Sequence, residues 1–148
     1  MSARASRTGP LATVDRLRQA IDDHDLEALV ACFSADYVNE TPAHPDRSFI
    51  GSDQVRRNWA RILAAVPDLH AALVDATVDG STVWCEWDWA GTRRDGTEHR
   101  MRGVTRTTVR DGSIVATRFF MEPVTRDGLD APAAVQAVLA QAAGGSDR

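Results

Sequence analysis

The sequence predicts an α+β domain, with three N-terminal helices packed on an antiparallel sheet. Three observations predict it. Apolar residues recur at helical spacing from Pro10 to Val66. From Leu69 onward, runs rich in Val, Thr and Trp replace that pattern. Asp-Gly pairs at Asp79-Gly80, Asp95-Gly96 and Asp111-Gly112 separate those runs, and Asp-Gly between β-rich segments is a strong hairpin signal.

Pro10 opens the first helix, with Val14, Leu17, Arg18 and Ile21 on one stripe. The run Asp22, Asp23, His24, Asp25 reads as an interhelix turn, its spacing matching no metal-ligand rule, and Asp25 is placed to cap a second short helix containing Ala28, Leu29, Cys32 and Phe33. Tyr37 to Thr41 reads as a short strand ended by Pro42, and Pro42 and Pro45 fix the path of the following loop. Ser52 or Asp53 caps a third helix carrying Val55, Trp59, Ile62, Leu63 and Val66, which Pro67 stops. Four antiparallel strands follow, at about 69–77, 82–92, 98–109 and 113–122. A last amphipathic piece opens at Asp130 and Pro132, with Val135, Val138, Leu139 and Ala142 on one face.

The chain has 148 residues, 43% of them apolar and 26% charged, which fits one soluble domain able to build a core unaided. No apolar run approaches the ~18 residues of a membrane span. All 17 basic residues are Arg, and the net charge is −4. Scattered Arg on a mildly acidic chain makes a poor phosphate binder, so no nucleic-acid partner is expected. Cys32 and Cys85 lack CxxC spacing and read as reduced thiols of a cytoplasmic protein. The opening MSARASRTG has no apolar run after its arginines and does not read as a signal peptide.

Hairpin register decides which side chains share a face. A glycine-bulge register at the Asp-Gly turns puts Trp89 opposite Met101, Trp87 opposite Gly103 and Cys85 opposite Thr105, with Asp88 meeting Arg102 and Trp84 meeting Arg106 behind. The next hairpin then pairs Met101 with Met121, Gly103 with Phe119, Thr105 with Thr117 and Arg100 with Glu122. The first pairs Leu73 with Cys85 and Leu69 with Trp89, leaving His70 near Asp88. Each unlike-charge pair adds only ~0.2–1 kcal/mol, yet all favour this register. One sheet face is therefore apolar and includes Val115, and the other carries Glu86, Asp88, Arg100, Arg102 and Glu122. That charged set reads as a salt-bridge ladder or a dimer interface. Gly103 leaves room for the Trp87 indole.

The segments HDLEALVACFSADYVNETP, FIGSDQVRRNW, TVWCEWDWAGT and DGSIVATRFFMEPV resemble the SnoaL-like branch of the NTF2-like superfamily, across residues 12 to 124. The resemblance implies an NTF2-like cone with a pocket between helices and curved sheet, and a homodimer. It implies a flexible N-terminus over 1–10, a SnoaL-like domain over 11–124, and a short helix and tail over 125–148. The superfamily includes polyketide cyclases, ketosteroid isomerases, limonene-type epoxide hydrolases and non-catalytic binding proteins. The positions matching the epoxide hydrolases' Arg and two Asp are Trp87, Trp89 and Phe119, so their route is not expected here. The isomerases' Tyr and strand Asp match Leu17 and Thr105, while Glu40 stands next to the position of their base.

Val38 and Glu40 share a strand face read as looking into the cone. There, desolvation would raise the carboxyl's pKa toward that of a general base; alternatively, Glu40 is a rim residue paired with Arg47. His44, in the proline-fixed loop, is either a proton shuttle for Glu40 or a loop histidine without a role. Trp59, Trp87, Trp89 and Phe119, with Leu17, Ile62, Cys85, Met101 and Met121, wall a cavity or fill a plain core. Thr105, Thr117 and Asn58 are the neutral polar groups expected inside, holding a ligand carbonyl or bonding to main chain. The functional expectation is a small-molecule enzyme with no metal and no organic cofactor, acting on a hydrophobic polyketide-like or steroid-like substrate by proton transfer, cyclisation or isomerisation. The alternative is a non-catalytic ligand-binding or protein-interaction domain.

Overall fold

Helix α1 runs Pro10–Asp22, with Pro10 in the first turn, where no amide hydrogen is needed. It begins the part of the chain that the structure, a computed structural model, describes, which is residues 9–144. Residues 1–8 of the expected flexible terminus and 145–148 of the tail lie outside the described residues, as does the side chain of Ala142. Helix α2 spans Leu26–Val30, and the Asp25 carboxylate caps it by accepting the Ala28 N–H at 3.0 Å. Helix α3 spans Ser52–Ala65. Its cap differs from the expectation: Gly51, at φ +102°, holds the N-cap position, and no side chain bonds the free amides.

The sheet has six strands: β1 Phe33–Glu40, β2 Phe49–Ile50, β3 His70–Asp79, β4 Thr82–Thr92, β5 Glu98–Arg110 and β6 Ser113–Pro123. Their order is β2-β1-β6-β5-β4-β3. Only β1 and β6 run parallel, and the sheet curves without closing. Helix α1 lies across β3, β4 and β5, and α3 lies over β1. Thr13 and Arg16 of α1 both donate to the Gly112 carbonyl, fastening the helix to the β5–β6 turn. Between the layers lies the core, with Val14, Ile21, Leu29, Leu69, Val83 and Cys85 at 1% exposure or less, except Leu69 at 2%.

The β4–β5 register is as expected, with Trp89 opposite Met101, Trp87 opposite Gly103 and Asp88 opposite Arg102. Gly96, at φ +88°, supplies the left-handed residue of that turn. The two flanking hairpins slip. In β5–β6, Gly103 faces Met121, Thr105 faces Phe119 and Arg102 faces Glu122, two residues from the expected pairing. The turn there is a tight one, with Asp111 at φ +50° and Gly112 at φ +75°, and a bulge follows beside Val109. An even slip keeps every face, except at the bulge, where Ile114 rather than Val115 is fully buried. In β3–β4, a bulge at Val74 sets Leu73 opposite Trp87 and Ala71 opposite Trp89. His70 consequently bonds Asp22 at 3.1 Å instead of approaching Asp88.

Gly103 has a different cause from the one expected. At φ +149°, a Cβ there would lie 2.3 Å from the Phe120 carbonyl oxygen and 2.7 Å from the Met121 Cα. The close approach is to the β6 backbone rather than to the Trp87 indole. Helix α4, Ala131–Gly144, is capped by Asp130, which accepts from the Ala133 N–H at 3.0 Å. Its Val135, Val138 and Leu139 are exposed rather than packed.

Candidate functional site

Between α1, α3 and the sheet lies a cavity of about 350 Å³, large enough for a small molecule. Strand alternation aims every second residue of β4, β5 and β6 into it. Trp87, Trp89, Met101, Thr105, Thr117, Phe119 and Met121 all line it, as expected, with Leu17 from α1 and Trp59, Ile62 and Asn58 from α3. The aromatic wall is continuous: Trp89 lies 5.3 Å from Trp59, 5.9 Å from Trp87 and 6.3 Å from Phe119, each centroid to centroid and steeply tilted. Cys85 is not on the wall. It is fully buried beneath it, and burial pushes its thiol up to about 11.

Glu40 does not look into the cone. On β1 it is Tyr37, Asn39 and Thr41 that are buried and line the cavity, so Val38 and Glu40 take the opposite face, with Glu40 exposed and in register with Arg118. The physical reason is a buried hydrogen-bond chain. Tyr37 Oη donates to Asn39 Oδ1 at 3.0 Å, and Asn39 Nδ2 donates to Thr41 Oγ1 at 3.2 Å. That chain satisfies three polar side chains inside, whereas an inward Glu40 would desolvate a charge. Burial holds the Tyr37 hydroxyl well above its usual range, opposed in part by a hydrogen bond from Thr117, so it stays a neutral donor.

His44 does not meet Glu40 either. Its Nε2 lies 2.7 Å from Glu122 Oε1, at the end of β6. Glu122, expected on the outer face, stands near the C-terminal end of β6 and lines the cavity together with Arg47, Phe49 and Pro123. Glu122 and Arg47 are exposed, so they stand at its mouth, and they are the charged groups on the lining. The interior is neutral: Trp87 Nε1 donates to Thr105 Oγ1 at 2.9 Å, and Gln54 Nε2 donates to Asn58 Oδ1 at 2.7 Å.

Sequence reasoning missed Tyr37, Asn39, Thr41, Arg47, Thr107 and Glu122. The alternation Tyr37, Asn39, Thr41 was a usable signal, because three neutral hydrogen-bonding groups at period two can satisfy one another.

On the outer face, Asp88 holds Arg100 through two bonds of 3.1 and 2.7 Å and meets Arg102 at 3.3 Å. These bonds keep the Asp88 carboxyl below the usual carboxylate range, led by the Arg100 hydrogen bond. Arg106 stacks on Trp84 at 5.6 Å.

Helices over one face of a curved, open sheet, with a cavity between the layers, define an NTF2-like α+β cone. Residues 14–117 match the SnoaL-like domain, and the chain belongs to that family. Its fold is similar to that of IdmH from Streptomyces antibioticus, a candidate polyketide cyclase, at 23% identity over 76% of this chain and 91% of that one, with a TM-score of 0.66. An LEH-like epoxide hydrolase of M. tuberculosis is similar at 18% identity, over 76% of this chain and 82% of that one, with a TM-score of 0.66. A Catenulispora acidiphila protein of ketosteroid isomerase-like fold, in complex with trimethylamine, is similar at 21% identity, over 76% and 87%, with a TM-score of 0.62. None of the curated proteins matches the chain. Among the described residues no helix is long and apolar enough to cross a membrane.

Proposed function

We propose that the protein is a small-molecule enzyme that takes a flat hydrophobic substrate, polyketide-like or steroid-like, and moves a proton on it at the cavity mouth, in a cyclisation or isomerisation. One observation carries the reading: the cavity is aromatic and neutral inside, and Glu122 stands at its opening, with His44, which is not itself on the lining, bringing Nε2 to 2.7 Å from it. A substrate whose rings lie along Trp59, Trp89 and Phe119 would present an edge there. Glu122 would take a proton from a carbon beside a carbonyl, and His44, bonded to it, would return one to the product. Membership of the SnoaL-like family supports an enzyme-type cavity. The base assignment moves from Glu40 to Glu122 because Glu40 faces away from the cavity.

The test is proton–deuterium exchange of a cyclic 1,3-diketone in D2O, followed by NMR. Glu122→Gln should slow exchange by about 100-fold or more while tryptophan-fluorescence titration shows ligand affinity within about two-fold. Glu40→Gln should change neither. Exchange unaffected by Glu122→Gln would remove the catalytic assignment.

A second reading, a binding protein without chemistry, is favoured by the absence of charge from the inner wall. It predicts tight titration and no exchange in the unmodified protein. Homodimerisation belongs to the same proposal; the outer face offers Trp84 and Phe120 to a second copy, and light scattering would report it.

A further inference from the structure

The His44 and Glu122 side chains at the mouth are 36% and 52% exposed. An exposed pair contributes little by itself, so its 2.7 Å contact needs another cause. That cause lies at Thr41, where every polar group is engaged. Its N–H donates to Ser48 Oγ at 3.0 Å, its carbonyl accepts from the His44 N–H at 2.9 Å, and its hydroxyl oxygen accepts from Asn39 Nδ2 at 3.2 Å. The two main-chain bonds close the base of the loop 42–48. Inside it, the Arg47 N–H donates to the His44 carbonyl at 2.9 Å and the Ser48 N–H to the Pro45 carbonyl at 3.1 Å. Pro42 and Pro45 fix their own φ angles. The loop is therefore a closed body that carries His44 and Arg47 and takes its orientation from Thr41. The β1–β2 ladder gives that orientation little support, since only Val38 with Ile50 and Asn39 with Phe49 are paired. The buried chain supplies the rest. Asn39 is in register with Thr117 of β6, and the Thr117 hydroxyl donates to that of Tyr37. Thr117, Tyr37, Asn39 and Thr41 are all at most 9% exposed. Hydrogen bonds thus run from β6 through Tyr37, Asn39 and Thr41 into the loop, and return to β6 where His44 meets Glu122.

From this circuit we infer that Thr41 is the positioning residue of the cavity mouth: the chain Tyr37–Asn39–Thr41 sets the pose of the loop 42–48, and with it the place of His44 beside Glu122. The inference deepens the proposed function and rests on its reading of that pair as the groups that move the proton. Neutral side chains suit the task, because their bonds persist whether or not His44 carries a proton. A buried, fully bonded chain also holds one geometry more firmly than exposed side chains can, and small misplacements of reacting groups are costly to rate. Thr41 acts through His44, so losing its hydroxyl should slow turnover and spare ligand binding.

The NOE between the His44 ring protons and the Glu122 methylene protons reports the pose with no substrate present. Thr41→Val keeps the side chain's shape and both main-chain bonds and removes the hydroxyl. It should weaken that NOE about three-fold or more, and lower kcat for diketone exchange about ten-fold with KM within about two-fold. Thr41→Ser, which restores the hydroxyl, should return both readouts. Ser48→Ala, at an exposed position, removes the acceptor of the Thr41 N–H and opens the base of the loop; it should weaken the NOE in the same direction, and it carries the test should Thr41→Val fail to fold. An NOE unchanged in Thr41→Val or in Ser48→Ala, or lowered equally in Thr41→Ser, would overturn the positioning role and leave the assignment of Glu122 standing. An NOE that falls in Thr41→Val and recovers in Thr41→Ser, in a protein that exchanges no diketone, would uphold the positioning role and sink the proposed chemistry instead.

Discussion

The two faces of the sheet solve polarity in opposite ways. The cavity face hides neutral groups that bond one another, as in the chain from Tyr37 through Asn39 to Thr41 and the pair Trp87–Thr105. The outer face keeps its polarity ionic and wet, as in Asp88 held between Arg100 and Arg102. Charge is tolerated where water can reach it, and a buried apolar space excludes it. The same strands build both, so a single residue's parity decides whether it faces the cavity or solvent.

The sharpest way to break the contrast is to separate the sheet from itself. Gly103→Ala places a methyl against the β6 backbone at a left-handed φ, and it should cost about 3 kcal/mol or more in urea denaturation, disturbing both faces. Next come core and wall. Leu29→Ala, at a fully buried position beside α1, should cost about 2–5 kcal/mol without changing ligand affinity. Phe119→Ala, at a half-buried position lining empty space, should cost less stability than Leu29→Ala and weaken binding of an aromatic ligand about ten-fold or more. Equal stability losses at these two sites would mean that the wall is simply core.

The outer face should respond weakly and through pH. The Asp88 carboxyl is depressed in the folded chain, so its contribution is present above the ordinary aspartate range and lost as pH falls through the folded value. Asp88→Asn should therefore lower stability by about 1 kcal/mol at pH 7, with the gap from the unmodified protein closing as pH falls below the ordinary aspartate range. Smallest of all, Arg102→Ala should shift stability by about 0.5 kcal/mol at most, since its bond to Asp88 is long and exposed, and should leave ligand affinity untouched. A ligand effect at Arg102 would mean that the two faces had been exchanged.

Much of this division is legible in the sequence, because apolar and charged residues alternate from Cys85 to Trp89 and from Arg100 to Arg102, and Asp88 meets Arg102 in the register that this alternation favours. The flanking hairpins were less legible. The bulges at Val74 and beside Val109 carry no glycine or proline to mark them, and each reverses the strand's alternation on its far side, so that Ala76 and Ile114 face the core. Strand β1 was misread for a different reason. Val38 is the more apolar residue and Asn39 the more polar, so hydropathy alone points Val38 inward. The decision is made by Tyr37 and Thr41, whose side chains give Asn39 partners and fix the parity for Glu40 as well. Glu122 escaped because it lies one residue from the end of β6, where its long side chain reaches both His44 and the cavity lining.

The parallel pairing of β1 with β6 has one more consequence. It places the beginning of the sheet, which follows the first two helices, beside its last strand, and the mouth pair His44–Glu122 joins residues 78 positions apart in the chain. A growing chain cannot assemble that chamber until β6 has emerged, and a truncated product ending before Ser113 would expose the tryptophans with nothing to gather them. The cavity of this molecule is thus a late property of synthesis, completed when the final strand arrives.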